Sequence, residues 1–263
     1  MRNSALVPLL GLMACLALPH AVTAAPTGTA MGVDPDATAK TASATRTLVV
    51  GTDIFIGDVV ATGPSGQVQI LFSDRTELVV GPRSSLTIED YLLRENGSAG
   101  KLAVNALAGT FRFVTGNAPK DRYLIKTPTG TIGVRGTAFD FTVTRALTSI
   151  LLHHGAVIAC TLDGECVTLD DVCEVGQYDL GEAVVIGNTD TIRGEARETL
   201  KRMFTYSVNQ LPLLREFRIS QAERCLRREP PGGGPGSLIV PGPGGQPGGN
   251  RQTPPNNSIK TGG

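Results

Sequence analysis

Four of the five cysteines, a histidine pair, an acidic cluster and an arginine set among glycines are the residues here whose types and spacing could do chemistry. Cys160, Cys166, Cys173 and Cys225 form an even set, and in an oxidising compartment four cysteines allow three disulfide connectivities. Cys160 and Cys166 flank Asp163-Gly164, a strong hairpin signal that would bring their strands, and so their thiols, face to face. We therefore pair Cys160 with Cys166 and Cys173 with Cys225. The second bridge would close a loop of about 50 residues, worth roughly 4 kcal/mol in the chain-entropy model. Thiols packed as small hydrophobes are the alternative. Zinc is disfavoured, because neither C-x2-C nor C-x4-C spacing occurs.

His153 and His154 are adjacent, and neighbouring side chains on a strand point to opposite faces, so the two do not chelate one metal together. A polar edge beside Gly155 is their expected setting. Asp163, Glu165, Asp170, Asp171 and Glu174 offer the oxygen ligands that calcium favours, but no calcium-loop pattern accompanies them and a solvated rim is the better reading. Arg135 stands between glycines in an apolar, Thr-rich stretch. If buried, its guanidinium needs several acceptors, which backbone carbonyls or Asp140 could supply. We favour a structural role for it over ligand binding.

Catalytic patterns do not assemble. The spacing Gly130-x-x-Gly133-x-x-Gly136 is not the dinucleotide fingerprint, which needs G-x-G-x-x-G between strand and helix. There is no G-x-S-x-G, no H-E-x-x-H and, apart from Cys15 in the N-terminal apolar run, no cysteine spared from expected pairing. A glycosidase would need two carboxylates in an aromatic-lined cleft, and the chain has no tryptophan and only 4 tyrosines. A formal net charge of +0, with no basic stripe interleaved with aromatics, gives nucleic-acid binding no support. The expectation is a protein that is not an enzyme and holds no metal or cofactor.

These residues sit on short strands. In Gln67 to Phe72 the apolar Val68, Ile70 and Phe72 alternate with Gln67 and Gln69; Phe111 and Phe113 straddle Arg112; Phe139, Phe141 and Val143 alternate with Asp140 and Thr142. Such a period of two marks half-buried strands. Turn signals recur at Gly63-Pro64, Gly81-Pro82, Asn96-Gly97, Gly116-Asn117, Thr129-Gly130 and Gly155. The fold class is all-β, a roll, sandwich or solenoid-like arrangement of short strands over about 47–186. Beyond Gly187, Ala196, Leu200, Met203, Phe204 and Val208 fall at helical spacing and predict an amphipathic helix over 195–208. A shorter helix is expected from Gln221, where Ser220 and Glu223 have capping-box spacing. Cys225 would tether it back to the β-domain.

The ends read differently. Arg2, the apolar run Ala5 to Leu18 and the small residues Val22 to Ala25 read as a cleaved secretory signal over 1–25. A lipoprotein signal through Cys15 is the alternative. The run is too short to span a bilayer, which needs roughly 20 residues, and no second apolar segment reaches that length. Residues 26–46, small and rich in Thr and Ala, read as a linker. From Pro230 the chain is dominated by Pro and Gly, a composition that cannot offset its ordering entropy and is expected to be disordered over 230–263.

Two stretches resemble the FecR domain family. The first runs through Val50-Gly51-Thr52-Asp53, Gly57 to Gly66, Leu71-Phe72-Ser73-Asp74-Arg75-Thr76 and Gly81-Pro82-Arg83-Ser84. The second and more specific one is Thr127-Pro128-Thr129-Gly130-Thr131-Ile132-Gly133-Val134-Arg135-Gly136-Thr137-Ala138-Phe139, with Gly109 to Gly116 between the two at the expected place. The resemblance covers about 47–158, leaving 159–229 as a disulfide-containing β/helical extension. It implies a periplasmic all-β domain that takes part in envelope sensing or assembly, contacting an outer-membrane transporter in the best-known members. This chain departs from that pattern. It shows no cytoplasmic segment ahead of the apolar run, no retained membrane anchor and no recognisable secretin-and-TonB short domain, so it resembles the exported, standalone FecR-domain proteins. The expected function is a non-catalytic interaction or sensory module of the envelope, with another envelope or outer-membrane protein as partner and a link to signalling or iron-uptake regulation. A cell-wall or polysaccharide-binding structural module is the alternative.

Overall fold

The computed structural model describes residues 25–93, 99–117, 122–220 and 222–226. The expected signal with Cys15, the Asn96-Gly97 turn and the tail from 227 onward, including all of 230–263, lie outside the described residues. Among the described residues fifteen strands make one sheet. They are β1 (Gly28–Asp34), β2 (Ala37–Lys40), β3 (Thr45–Thr47), β4 (Asp53–Ile54), β5 (Val59–Thr62), β6 (Gln67–Phe72), β7 (Glu77–Val80), β8 (Ser85–Leu93), β9 (Ala99–Val114), β10 (Tyr123–Thr127), β11 (Gly130–Val143), β12 (Thr148–Thr161), β13 (Cys166–Leu169), β14 (Glu174–Tyr178) and β15 (Ala183–Asn188). The all-β expectation holds, in its roll form. The sheet folds over a main core in which Val68, Ile70, Phe72, Phe111, Phe113, Phe139 and Phe141 are all buried. The alternation read from the sequence selects these residues, because every second side chain of a strand faces the same way.

Long strands that change partners produce the curl. The first part of β9 lies between β8 and β10, whereas its last residues lie between β7 and β11. The switch falls at Gly109, whose φ is +120° and where a Cβ would meet Ser84 Oγ at 2.0 Å. Strand β11 likewise leaves β10 for β9 across Gly136, φ +68°. The β11–β12 ladder shifts register there. Positive φ without a side chain is glycine's contribution at both points.

Residues 26–46 are not a linker. Strand β1 pairs with β4 and β6, and β2 pairs with β3 and β5, so the segment is built into the sheet. Its small residues, which read as linker composition, are what tight packing selects. Ala30, Ala37 and Ala39 are buried in the core, and a Cβ on Gly28 would meet the Leu71 carbonyl at 2.9 Å.

The expected helical extension follows as α1 (Gly194–Met203), α2 (Thr205–Val208), a 3-10 turn at Arg215–Phe217 and α3 (Ala222–Leu226). The single helix predicted over 195–208 is divided at Phe204, which is fully buried with φ −106° and ψ 63°. Ala196 is exposed, and the face turned inward carries Arg197 and Leu200 instead. The Arg197 guanidinium binds the carbonyls of Thr189, Cys225 and Leu226, putting positive charge where the α3 carbonyls end. Both expected disulfides are present: Cys160–Cys166 across the β12–β13 hairpin, and Cys173–Cys225, which ties α3 to the start of β14.

Candidate functional site

The outer face of the sheet carries two polar neighbourhoods, one covered by the C-terminal extension and one left open. In the covered one, register partners place Val175, Leu151, Asp140, Arg112, Val79, Gln69 and Gly32 in a row across β14, β12, β11, β9, β7, β6 and β1. Directly paired residues share a face, so the extension that lies on this row meets all of it. Phe204, Leu200 and Leu226 pack with Leu151 and Val175, and Tyr206, Leu213 and Phe217 pack with Val79. Gln67 and Gln69, on the polar side of β6, are therefore buried: the Gln67 amide donates to the Pro212 carbonyl at 2.9 Å, and the Leu214 amide donates to Gln69 Oε1 at 2.8 Å.

At the centre of that row Arg112 donates to Asp140 through Nε at 2.6 Å and Nη2 at 2.9 Å, and Nη1 reaches Gln210. Ser207 Oγ donates to Asp140 Oδ2 at 2.7 Å and lies 3.2 Å from His153 Nε2. The Tyr206 ring stacks on the guanidinium at 5.8 Å. Burial alone would raise the Asp140 carboxyl, but the charges and hydrogen bonds of Arg112 and His153 outweigh it and hold the group well below the usual carboxylate range. Asp140 thus meets Arg112 and not Arg135, and His153 is a fully buried side chain, not part of an exposed edge. The reading of opposite faces holds, since His154 is exposed. The cluster was legible in principle: Phe111-Arg112-Phe113 and Phe139-Asp140-Phe141 share one frame, and pairing two such strands sets their central charges opposite each other.

Serine, histidine and aspartate side by side invite comparison with a hydrolytic triad, and the geometry excludes it. Ser207 and Asp140 both approach His153 Nε2, the latter at 3.2 Å, while Nδ1 faces the bonded Cys225 sulfur at 3.8 Å. A triad needs the acid and the nucleophile on opposite ring nitrogens. All three side chains are at 0% exposure, so substrate has no approach.

The residues of the expected motif divide cleanly by face. Thr127, Thr129, Ile132, Val134, Thr137 and Phe139 are buried. Thr127 and Thr129 join Thr148 and Tyr178 in a hydroxyl cluster whose burial pushes the Tyr178 phenol up to about 12. Thr137 Oγ1 donates to the Ala156 carbonyl at 2.7 Å. Pro128 stands in the β10–β11 turn closed by the Thr127–Gly130 pair. Thr131, Gly133 and Arg135 face outward, and Arg135 is exposed with no ion pair among the described residues.

Around those three lies the open neighbourhood, a groove of about 560 Å³ lined by Lys101, Arg122, Leu124, Gly133, Arg135 and Ile158. Its floor, Leu124, Gly133 and Ile158, lies on the register row Ala103–Leu124–Gly133–Ile158 across β9, β10, β11 and β12. Because β9 and β10 run parallel and β11 antiparallel to them, Lys101, Arg122 and Arg135 all fall two positions from the floor on the same side. The opposite bank is mixed, with Lys126 paired to Glu89 at 2.7 Å. Gly133 is the low point. It has no positive φ, and a Cβ there would meet nothing nearer than the Ile158 carbonyl at 3.8 Å, so the backbone does not require glycine.

Residues 58–158 match the family model described as FecR protein. The chain carries a FecR domain. The match ends where the resemblance ends and starts later than 47, and it spans β5 into β12, including both banks of the groove. The first of the two resembling stretches serves the fold. Asp58 is buried and accepts from Arg46 at 2.5 Å and the Phe55 amide at 2.8 Å; Asp74 is buried and accepts from Thr76 and Tyr123 hydroxyls, each at 2.8 Å. Two crystal structures of a candidate anti-sigma factor from Parabacteroides distasonis ATCC 8503 are similar at 11% and 13% identity, with TM-scores of 0.42 and 0.41. The alignments cover 55% and 56% of this chain and 63% and 74% of theirs, so the chain spans less than two thirds of the first. No curated protein matches the sequence. Among the described residues no cluster of metal-ligating side chains occurs, and no helix is long and apolar enough to cross a membrane.

Proposed function

We propose that this protein is a non-catalytic interaction module of the bacterial cell envelope, acting in signalling by docking another envelope protein on the open groove of its FecR domain. The observation that carries the proposal is the outward set of the family motif. The backbone does not require glycine at 133 and Arg135 makes no ion pair among the described residues, yet the two shape and charge an accessible groove. Support for the compartment comes from the disulfides, which persist in oxidising surroundings, and from the signal-like residues at the start of the sequence. The buried, misordered Ser207–His153–Asp140 cluster supports a role without catalysis.

The test is in-cell crosslinking of the tagged full-length protein, followed by envelope fractionation and mass spectrometry, with wild type and Gly133→Leu in parallel. The proposal expects a membrane protein enriched by wild type and lost with the variant. An outer-membrane iron transporter in that position would link the module to iron-uptake regulation. Identical partners for both proteins, or cell-wall fragments alone, would reject the groove as the docking site and favour a structural role.

A further inference from the structure

The groove also specifies the chemistry of what it holds. We infer, resting on the docking role just proposed, that its occupant is an extended protein segment with one apolar side chain seated over Gly133 and a carboxylate two residues along, facing Arg135, Arg122 and Lys101. The floor between Leu124 and Ile158 is apolar, and the missing side chain at Gly133 leaves a recess where an aliphatic group removes apolar surface from water on both partners. Floor and cationic bank are separated by two residues along each strand, about 6.6 Å at roughly 3.3 Å per residue. Alternate side chains of an extended peptide have the same separation, so one segment satisfies both rows without bending.

Charge decides the polarity of that segment. Lys101 lies 2.8 Å from Asp90 and its charge is already met. Arg135 has no ion pair among the described residues, and its planar fork matches a carboxylate in a bidentate contact. The far bank offers Lys126 and Glu89 already joined to each other. A carboxylate is therefore drawn to one side only, which sets the direction of the bound segment. A sugar polymer fits less well. Binding sites for sugars present aromatic platforms, and the one ring at this place, Tyr123, is turned inward and 3% exposed.

Fluorescein-labelled short peptides carrying Leu-x-Asp, Leu-x-Asn or Leu-x-Lys in a Thr/Ser background, and polygalacturonate as a polyanionic sugar, are titrated into the full-length protein by anisotropy. The inference expects Leu-x-Asp to bind at least tenfold tighter than Leu-x-Lys. It expects that preference to vanish with Arg135→Glu and to shrink as salt rises, and binding to be lost with Gly133→Leu. Thermal melts matching wild type exclude unfolding as the cause. Equal binding of the three peptides, or preference retained in Arg135→Glu, overturns the inference. Polygalacturonate binding without peptide binding, or no peptide binding at all, overturns it as well. The docking role is read separately by in-cell crosslinking. A partner captured there and lost with Gly133→Leu, but unaffected by Arg135→Glu, keeps the docking role and removes the acidic segment.

Discussion

Replacing Asp140 with asparagine removes one charge from a pair with no solvent to fall back on. Arg112 is 1% exposed and Asp140 0%, and the guanidinium sends two hydrogen bonds to that carboxylate. Breaking a buried pair from one side leaves an uncompensated charge and costs about 3–5 kcal/mol. For a domain of this size each kcal/mol moves the melting temperature by about 2–4 °C, so the variant should melt on the order of 6–20 °C below wild type. Far-UV circular dichroism at neutral pH without reductant is the assay, since the chain has no tryptophan to report by fluorescence. Removing both partners, as Arg112→Leu with Asp140→Leu, should recover much of the loss, because well-packed apolar pairs often replace buried ion pairs at little cost. The pH dependence follows from a carboxyl held below its ordinary value. The pair's contribution is complete above the unfolded pKa near 4 and is lost as pH falls through the folded value, so the gap between wild type and Asp140→Asn should narrow in acid. An Asp140→Asn protein melting within about 2 °C of wild type at neutral pH, less than 1 kcal/mol on this scale, would refute the reasoning.

Three further outcomes are expected. Glu77 is pushed up to about 7 by burial and by the neighbouring Glu216, against the pull of Arg75 and Arg112. A raised carboxyl favours folding below its unfolded value and loses that contribution as pH rises through about 7. Glu77→Gln should match wild type near pH 4.5 and melt higher at pH 8, as thermal scans at the two pH values will show. Paired Cys173→Ser and Cys225→Ser opens a bridge of sequence separation 52 and should cost about 4 kcal/mol, against about 2 kcal/mol for Cys160→Ser with Cys166→Ser, both measured by urea denaturation. Arg135→Ala, at an exposed position without an ion pair among the described residues, should change stability by no more than about 0.5 kcal/mol in the same urea assay.

What could be read from the sequence was what local pattern determines. The alternation in Gln67 to Phe72 and around Phe139 identified core residues because neighbouring positions on a strand must face opposite ways. Asp163-Gly164 identified the Cys160–Cys166 bridge because a hairpin fixes its own register. The helical spacing after Gly194 found the extension, though not its break at Phe204. The errors arose where distant segments meet. The cover over Gln67 and Gln69 comes from Tyr206 to Leu214, more than a hundred residues away. The partner of Asp140 depends on β9 lying beside β11, which strand pattern alone does not select. The segment 26–46 was misread because small residues serve both linkers and closely packed strands. The groove was hidden for a related reason. Gly133 stands in sequence between Gly130 and Gly136, which both take positive φ, and only the paired backbone reveals that Gly133 does not.

The most direct test of the groove as a docking surface is site-specific photocrosslinking in cells, with p-benzoylphenylalanine in place of Leu124 on the groove floor, or in place of the exposed Val49 outside it. The account predicts a discrete protein adduct from position 124, absent from position 49 and abolished when Gly133→Leu is added. No adduct from position 124, or one that persists with leucine at position 133, would contradict it.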